Sequence, residues 1–346
     1  MRQLCVRVVV VWTALAVAQA GAGGTANAIP LKPNDRLFAF QWGLRSIHAP
    51  QAWRWSTGKR VRVAVLDTGI DGTHPDLKTK LTRERYTCDQ RADRDDSGDN
   101  PGHGTFAAGI IAATTHNRIG IAGVAPDARL ISVRAAECPS GLPGYISAIR
   151  AAADLGADVI NMSQAYGAEG YAYGAIGSTD GIKWAVKYAW SKGAVVVVAA
   201  GNGSFPLCGE PWLDVPVVCV GAINWKDQLA LYSNHDVPNR SKYLVAPGGE
   251  PGSCEMDIVS TWPRTQATLR EAMCSLPNHY ATSEGTSFAA PHVSGVAALL
   301  SARGFDNKTI VKCLLEHADD LGAPGIDPMF GYGKVNAQAA VRDCRG

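Results

Sequence analysis

Four short segments of the 346-residue sequence carry side chains suited to nucleophilic chemistry. In Val65-Leu66-Asp67-Thr68-Gly69-Ile70 an acid closes an apolar run. In Gly102-His103-Gly104-Thr105 a histidine stands between two glycines and leads into Phe106-Ala107-Ala108-Gly109. Ala199-Ala200-Gly201-Asn202-Gly203 places an amide on a glycine-flanked turn. Gly285-Thr286-Ser287-Phe288-Ala289-Ala290-Pro291-His292 opens a small-residue helix with a serine. Singly, each has an ordinary structural use: Asp as a cap, Asn-Gly as a turn, Ser as a helix N-cap, His as a packing residue. Together, in the order Asp, His, Ser with an amide between, they are the parts of acyl transfer. A serine hydroxyl is a weak nucleophile until a base takes its proton. His103 can be that base, because an ordinary imidazole titrates near ~6.5. Asp67 can hold one ring nitrogen protonated so that the other faces Ser287. Asn202, with the Ser287 backbone N–H at a helix N-terminus, can donate to the oxyanion that forms.

The motifs Asp67-Thr68-Gly69, His103-Gly104-Thr105 and Gly285-Thr286-Ser287-x-Ala-x-Pro-His resemble those of the subtilase family of serine peptidases. The chain order Asp, His, Ser is also the subtilisin order, unlike those of chymotrypsin and the α/β-hydrolases. The resemblance runs from Pro33-Asn34-Asp35 to Gly331-Tyr332-Gly333-Lys334-Val335-Asn336. It implies a doubly wound, three-layer, mostly parallel sheet of about seven strands. It also implies a serine endopeptidase working through an acyl-enzyme on broad protein substrates, with Asp67, His103 and Ser287 as triad and Asn202 as oxyanion donor. Substrate backbone is expected to pair between Ser163, Gln164 and Ala165 on one side and Ala200 and Gly201 on the other, a β-augmentation mode that reads main chain. Ala165 stands where the family usually has glycine, so a preference for small or slender side chains before the scissile bond is expected. Phe106-Ala107 replaces a common His-Val, which reads as a packing change behind the site.

By the same resemblance a structural Ca²⁺ is expected at Asp35, Asp76 of His74-Pro75-Asp76-Leu77, Asn117, and the carbonyls of Thr114, Ile119 and Ile121. That set is a hard oxygen cage. The acid-rich stretch with Asp89, Asp93, Asp95, Asp96 and Asp99 is a candidate for a second, weaker ion, or a solvated loop. A lipase-type hydrolase is disfavoured, since Ala289 breaks Gly-x-Ser-x-Gly and the residue order is reversed. A subtilase-shaped scaffold without activity is disfavoured because all four chemical residues are present.

These residues need a frame to bring them together. Val61–Leu66, Leu130–Val133, Val159–Met162, Val195–Ala199 and Val217–Val220 read as buried strands. Tyr145–Leu155 and Gly181–Lys192 read as helices between them. Near-continuous apolar strands alternating with helices predict one α/β domain whose parallel sheet is covered on both faces. In such sheets function gathers beyond the carboxyl ends of strands, where Asp67 and Asn202 fall.

Residues 1–28 have a basic start at Arg2 and Arg7, an 11-residue apolar run from Val8 to Ala18, and small-x-small sites at 18–20 and 26–28. That order predicts a secretory signal, the run being shorter than the ~20 residues of a membrane span. The catalytic domain is then expected over 29–346, with no pro-domain between. Without residues 1–28 the chain has 31 basic and 31 acidic residues, from 33 and 31 overall, so it lacks the basic excess of nucleic-acid or anionic-membrane binders. A secreted monomer acting on proteins or peptides is expected. Of nine cysteines, eight remain after Cys5, an even number in an exported chain, and sequential disulfides are expected from the short intervals 208–219, 254–274 and 313–344.

Overall fold

The computed structural model describes residues 32–83, 85–87, 102–135, 141–163, 180–206, 208, 214–236, 242–252, 254–264, 274 and 276–346. The signal segment, Gln164, Ala165, the acid-rich stretch 88–99, Cys88 and Cys138 lie outside the described residues.

Seven strands form one parallel sheet. They are β1 (Arg62–Asp67), β2 (Tyr86–Thr87), β3 (Arg129–Arg134), β4 (Val159–Met162), β5 (Val195–Ala199), β6 (Val217–Ile223) and β7 (Lys242–Pro247), in the spatial order 2-3-1-4-5-6-7. The expected strands stand in place, within a few residues at their ends. Their all-apolar character follows from burial on both faces. Val63 and Val65 pack into the core on one side, and Ala64 and Leu66 into the core on the other. The same alternation divides Val195, Val197 and Ala199 from Val196, Val198 and Ala200.

One covering layer contains α1 (Trp42–Ser46), α2 (Ala49–Ala52), α3 (His103–Ala112), α6 (Thr286–Ser301), α7 (Asn307–Glu316) and α8 (Ala337–Asp343). The other contains α4 (Leu142–Asp154) and α5 (Asp180–Ser191). This is the three-layer, doubly wound α/β architecture that the family resemblance implies, with the sheet covered on both faces as the pattern of strands predicts. Helix α6 is its central member, with only Ser287 and Ser301 less than buried along its length. Such a helix cannot be amphipathic, which explains its run of Ala, Val and Leu. Asp306 and Asn336 cap α7 and α8 by accepting from Thr309 N and Ala339 N at 2.8 Å each.

An antiparallel hairpin, β8 (Ile258–Thr261) with β9 (Tyr280–Ser283), lies apart from the main sheet. Disulfides join Cys208 to Cys219, Cys254 to Cys274 and Cys313 to Cys344, three of the four sequential pairs expected. The Cys254–Cys274 bond ties the segment before β8 to the connection between β8 and β9. Among the described residues no helix is long and apolar enough to cross a membrane.

Candidate active site

β1 lies between β3 and β4, where the strand order changes direction. Crevices form at the carboxyl end of such a switch point, and Asp67 is the last residue of β1. Its carboxylate is wholly buried. Oδ1 accepts from Thr68 N at 2.8 Å and meets His103 Nδ1 at 2.7 Å. Oδ2 is buried without a hydrogen-bond partner among the described residues. Because a carboxylate only accepts, this contact places the proton of the neutral imidazole on Nδ1 and makes Nε2 its acceptor nitrogen.

His103 is the first residue of α3 and follows Gly102, whose φ of +89° lies in the left-handed region. A Cβ on Gly102 would also stand 2.6 Å from the Trp262 ring. The turn thus requires glycine both for its backbone and for its neighbour. Thr68 Oγ1 accepts from Gly104 N at 3.0 Å, and Thr105 Oγ1 accepts from Asp71 N at 2.8 Å. These bonds join the segment after β1 to the first turn of α3. From the other side, Ser260 and Thr261 of β8 donate their hydroxyls to Phe106 O at 2.7 Å and Thr105 O at 2.6 Å.

Phe106 is fully buried, with its ring 4.3 Å from the Phe288 ring and 6.5 Å from that of Trp262. Phe288 in turn lies 5.3 Å from the His103 imidazole, centroid to centroid. The expected packing change at Phe106 is therefore an aromatic wedge between the histidine helix and the serine helix.

Ser287 is the second residue of α6, and its neighbour Phe288 packs on the imidazole. Gly285 precedes the helix at φ +146°, ψ +156°, a conformation essentially restricted to glycine. Pro291 lies inside the helix, so the Ser287 carbonyl lacks its usual intrahelical donor.

Asn202 is exposed in the loop after β5. Its Oδ1 accepts from Thr286 N at 3.0 Å and Thr286 Oγ1 at 2.9 Å. Two donors on that oxygen fix the amide, and Nδ2 is turned away from them. The point where a Cβ on Gly285 would stand is 3.6 Å from Asn202 Nδ2 and 3.7 Å from Ser287 N. Both N–H groups therefore border one small space beside the serine. Thr286 Oγ1 also accepts from Gly201 N at 3.1 Å. The role of Thr286 was hidden in the sequence, because a threonine between Gly285 and Ser287 reads only as part of a turn.

Ser163 is buried at the end of β4, and Ala200 and Gly201 follow β5 beside it in the sheet. Asn161 Nδ2 donates to Ser163 Oγ at 2.8 Å and Asn161 Oδ1 accepts from Ser294 Oγ at 2.8 Å. This buried chain ties the end of β4 to α6. Gln164 and Ala165 lie outside the described residues.

The residues expected to hold an ion also converge. Asp35 and Asp76 are both buried. Asp35 accepts from His116 N at 2.9 Å and Asn117 N at 3.2 Å. Asp76 accepts from Asn117 Nδ2 at 2.6 Å, Ile121 N at 3.1 Å and Tyr280 OH at 3.0 Å. Its main-chain carbonyl accepts from Thr114. Ile119 N donates to Asn117 Oδ1 at 3.0 Å. Burial raises the Asp35 pKa, and raises that of Asp76 to about 6, with the charge of Asp35 adding to the shift. Two desolvated carboxylates that repel each other form a site whose electrostatics favour a cation. His116, Arg118 and Gly120 all have positive φ, so the loop's peptide planes alternate in direction. Among the described residues no cluster of three or more His, Cys, Asp or Glu forms, so an ion here depends on amide and carbonyl oxygens beside the two carboxylates.

A parallel three-layer sheet with this arrangement at its carboxyl rim is the architecture of subtilisin-like serine proteases. Residues 58–333 match the family model described as the Subtilase family. The chain is 38% identical over 313 residues to a thermophilic serine proteinase of Bacillus sp. (strain AK1), covering 89% of this chain and 69% of that protein. It is 35% identical to thermitase of Thermoactinomyces vulgaris, covering 90% of this chain and 99% of thermitase. Among solved structures, a protease of Pseudoalteromonas arctica superposes with a TM-score of 0.73 at 30% identity, over 90% of this chain and 99% of that one. The chain belongs to the subtilase family, and its activity is that of a serine protease.

Proposed function

We propose that the chain is a secreted endopeptidase in which Asp67, His103 and Ser287 form the triad and Asn202 the oxyanion donor. The observation that carries this reading is the buried 2.7 Å contact of His103 Nδ1 with Asp67 Oδ1, set against the residue that follows Ser287. His103 Nε2 takes the proton of Ser287 Oγ as that oxygen attacks the scissile carbonyl. Asn202 Nδ2 and Ser287 N donate to the resulting oxyanion. His103 returns the proton to the leaving amine, an acyl-enzyme remains, and a water activated by the same imidazole releases it. Ser163, Gln164, Ala165, Ala200 and Gly201 border the extended substrate backbone, so recognition is broad, and Ala165 narrows the pocket before the scissile bond. Export is supported by the signal-like residues 1–28 and by three disulfides in the folded part.

Asp35, Asp76, Asn117 and the Thr114, Ile119 and Ile121 carbonyls suit a structural Ca²⁺, because the donors are hard oxygens and burial disfavours the charge on both carboxylates. The ion contributes stability and takes no part in the reaction.

The test is kinetic. Ser287→Ala should lower kcat on a peptide library by about 10⁶, the magnitude known from subtilisin itself. A fluorophosphonate should label the wild type on Ser287 and leave the variant unlabelled. A Ser287→Ala protein that digests casein at the wild-type rate rejects the assignment.

A further inference from the structure

Asn202 sits on a loop that is not relaxed. Gly201 has φ +102°, and Ser204, a residue with a side chain, has φ +58°. A non-glycine residue in that region is strained relative to a right-handed conformation. Something must hold the loop in this shape, and one buried residue bonds to it at four places, three through its side chain and one through its backbone N–H. Asn234 is 4% exposed. Its Oδ1 accepts from Gly203 N at 3.0 Å and from Phe205 N at 2.9 Å. Its Nδ2 donates to Ala200 O at 2.9 Å, and its backbone N donates to Gly201 O at 2.8 Å. The bonded groups lie on either side of Asn202 along the chain. The amide can be seated only one way, because reversing it would point the NH₂ at two N–H groups and the oxygen at a carbonyl.

Asn234 is itself fixed. Its carbonyl accepts from Ser233 Oγ at 2.8 Å and from Tyr243 OH at 3.3 Å, and Ser233 Oγ accepts from Ala222 N at 2.9 Å in β6. The chain of contacts runs from the sheet through Asn234 to the loop. Thr286 orients the Asn202 amide from the helix side, and Asn234 sets the backbone that carries it.

We infer that Asn234 is a positioning residue for transition-state stabilisation: it acts through Asn202, by clamping the backbone on both sides of it. The inference rests on reading Asn202 as the oxyanion donor. A donor displaced by a fraction of an ångström still leaves room for substrate, so the clamp affects the reacting state and not the ground state.

The test is a double-mutant cycle on the full mature chain, with rates referred to the active-site concentration found by exhaustive fluorophosphonate titration. Asn234→Ala should lower kcat by about 10- to 100-fold, less than the ~10²–10³ that losing the equivalent amide costs in subtilisin, where that magnitude was measured. KM for a peptide substrate should stay within about 3-fold. Asn234→Ser keeps a short acceptor for one of the two loop N–H groups, and should recover part of the loss. In an Asn202→Ala background, Asn234→Ala should cost less than about 2-fold, because the group it positions is gone. Losses that multiply in the double variant, or a raised KM at unchanged kcat, overturn the inference. If Asn202→Ala alone leaves kcat unchanged, the oxyanion reading fails instead, so the two failures are distinguishable. If Asn234→Ala gives no titratable sites, the cycle is run with Asn234→Ser, and the same comparison decides.

Discussion

Acid should destabilise this protein in part through His292, a buried histidine that takes no part in catalysis. His292 lies on α6 and is wholly buried. Its Nδ1 bonds to Phe288 O at 2.8 Å, which places the ring proton there. Its Nε2 has no hydrogen-bond partner among the described residues and faces Gly43, where even a Cβ would stand 2.8 Å away. Protonation would bury a charged N–H with nothing to accept it. Burial accordingly lowers the pKa from 6.5 to about 4, despite the opposing bond to Phe288. In the unfolded chain the ring protonates near ~6.5, so between about pH 6.5 and 4 the unfolded state binds more protons than the native one. The stability is fully present above about pH 6.5 and is lost as pH falls through about 4. At about 1.4 kcal/mol per pH unit the whole window is worth roughly 3 kcal/mol, of which about 2 is gone by pH 5. Urea unfolding followed by tryptophan fluorescence measures this, in a Ser287→Ala background that prevents self-digestion. His292→Gln should start less stable at pH 7 and lose about 2 kcal/mol less than its parent on going to pH 5, the carboxylates cancelling in the comparison. Equal pH dependence in the two proteins would refute the argument.

Four further outcomes follow. Replacing Cys313 and Cys344 together by Ala opens a loop of 31 residues, which costs about 3.7 kcal/mol of stability at 25 °C in the chain-entropy account, seen as a melting point lower by about 5–10 °C. Chelation with EDTA should lower the melting temperature while leaving initial kcat intact, by about 2.7 kcal/mol of stability if Ca²⁺ stood at 100-fold its Kd. Gly120→Ala should weaken that ion's effect, because the added methyl would strike Asp76 Oδ2 and Tyr280 OH. Gly102→Ala forces a side chain into the left-handed region and against Trp262, and the displaced His103 should lower kcat by about 10²-fold in a peptide assay.

The central strands were legible in the sequence because burial on two faces leaves uninterrupted Val, Ile and Ala, as in Val195–Ala199. Strand β7 was not, since its apolar run is only Tyr243–Ala246, held between Lys242 and Pro247. Strand β2 has two residues, too few for any pattern. The hairpin β8–β9 was missed because Ser260, Thr261 and Thr282 are buried polar residues whose hydroxyls and packing have meaning only once α3 is beside them. The chemical residues were readable because glycines and motif spacing mark them. Their supports were not: Thr286, Asn234 and Ser294 act through hydrogen bonds to segments 84 to 85, 29 to 34 and 133 residues away, and no local spacing encodes such distances.

The hydroxyls that brace α3 lie about 155 positions beyond the carbonyls they hold. During synthesis, the histidine therefore leaves the ribosome long before its buttress or its serine partner exists. A truncated or nascent chain has neither a seated imidazole nor an alcohol for it to activate. Chain order by itself keeps the imidazole unseated until the segment that carries Ser260, Thr261 and Ser287 has been translated and docked.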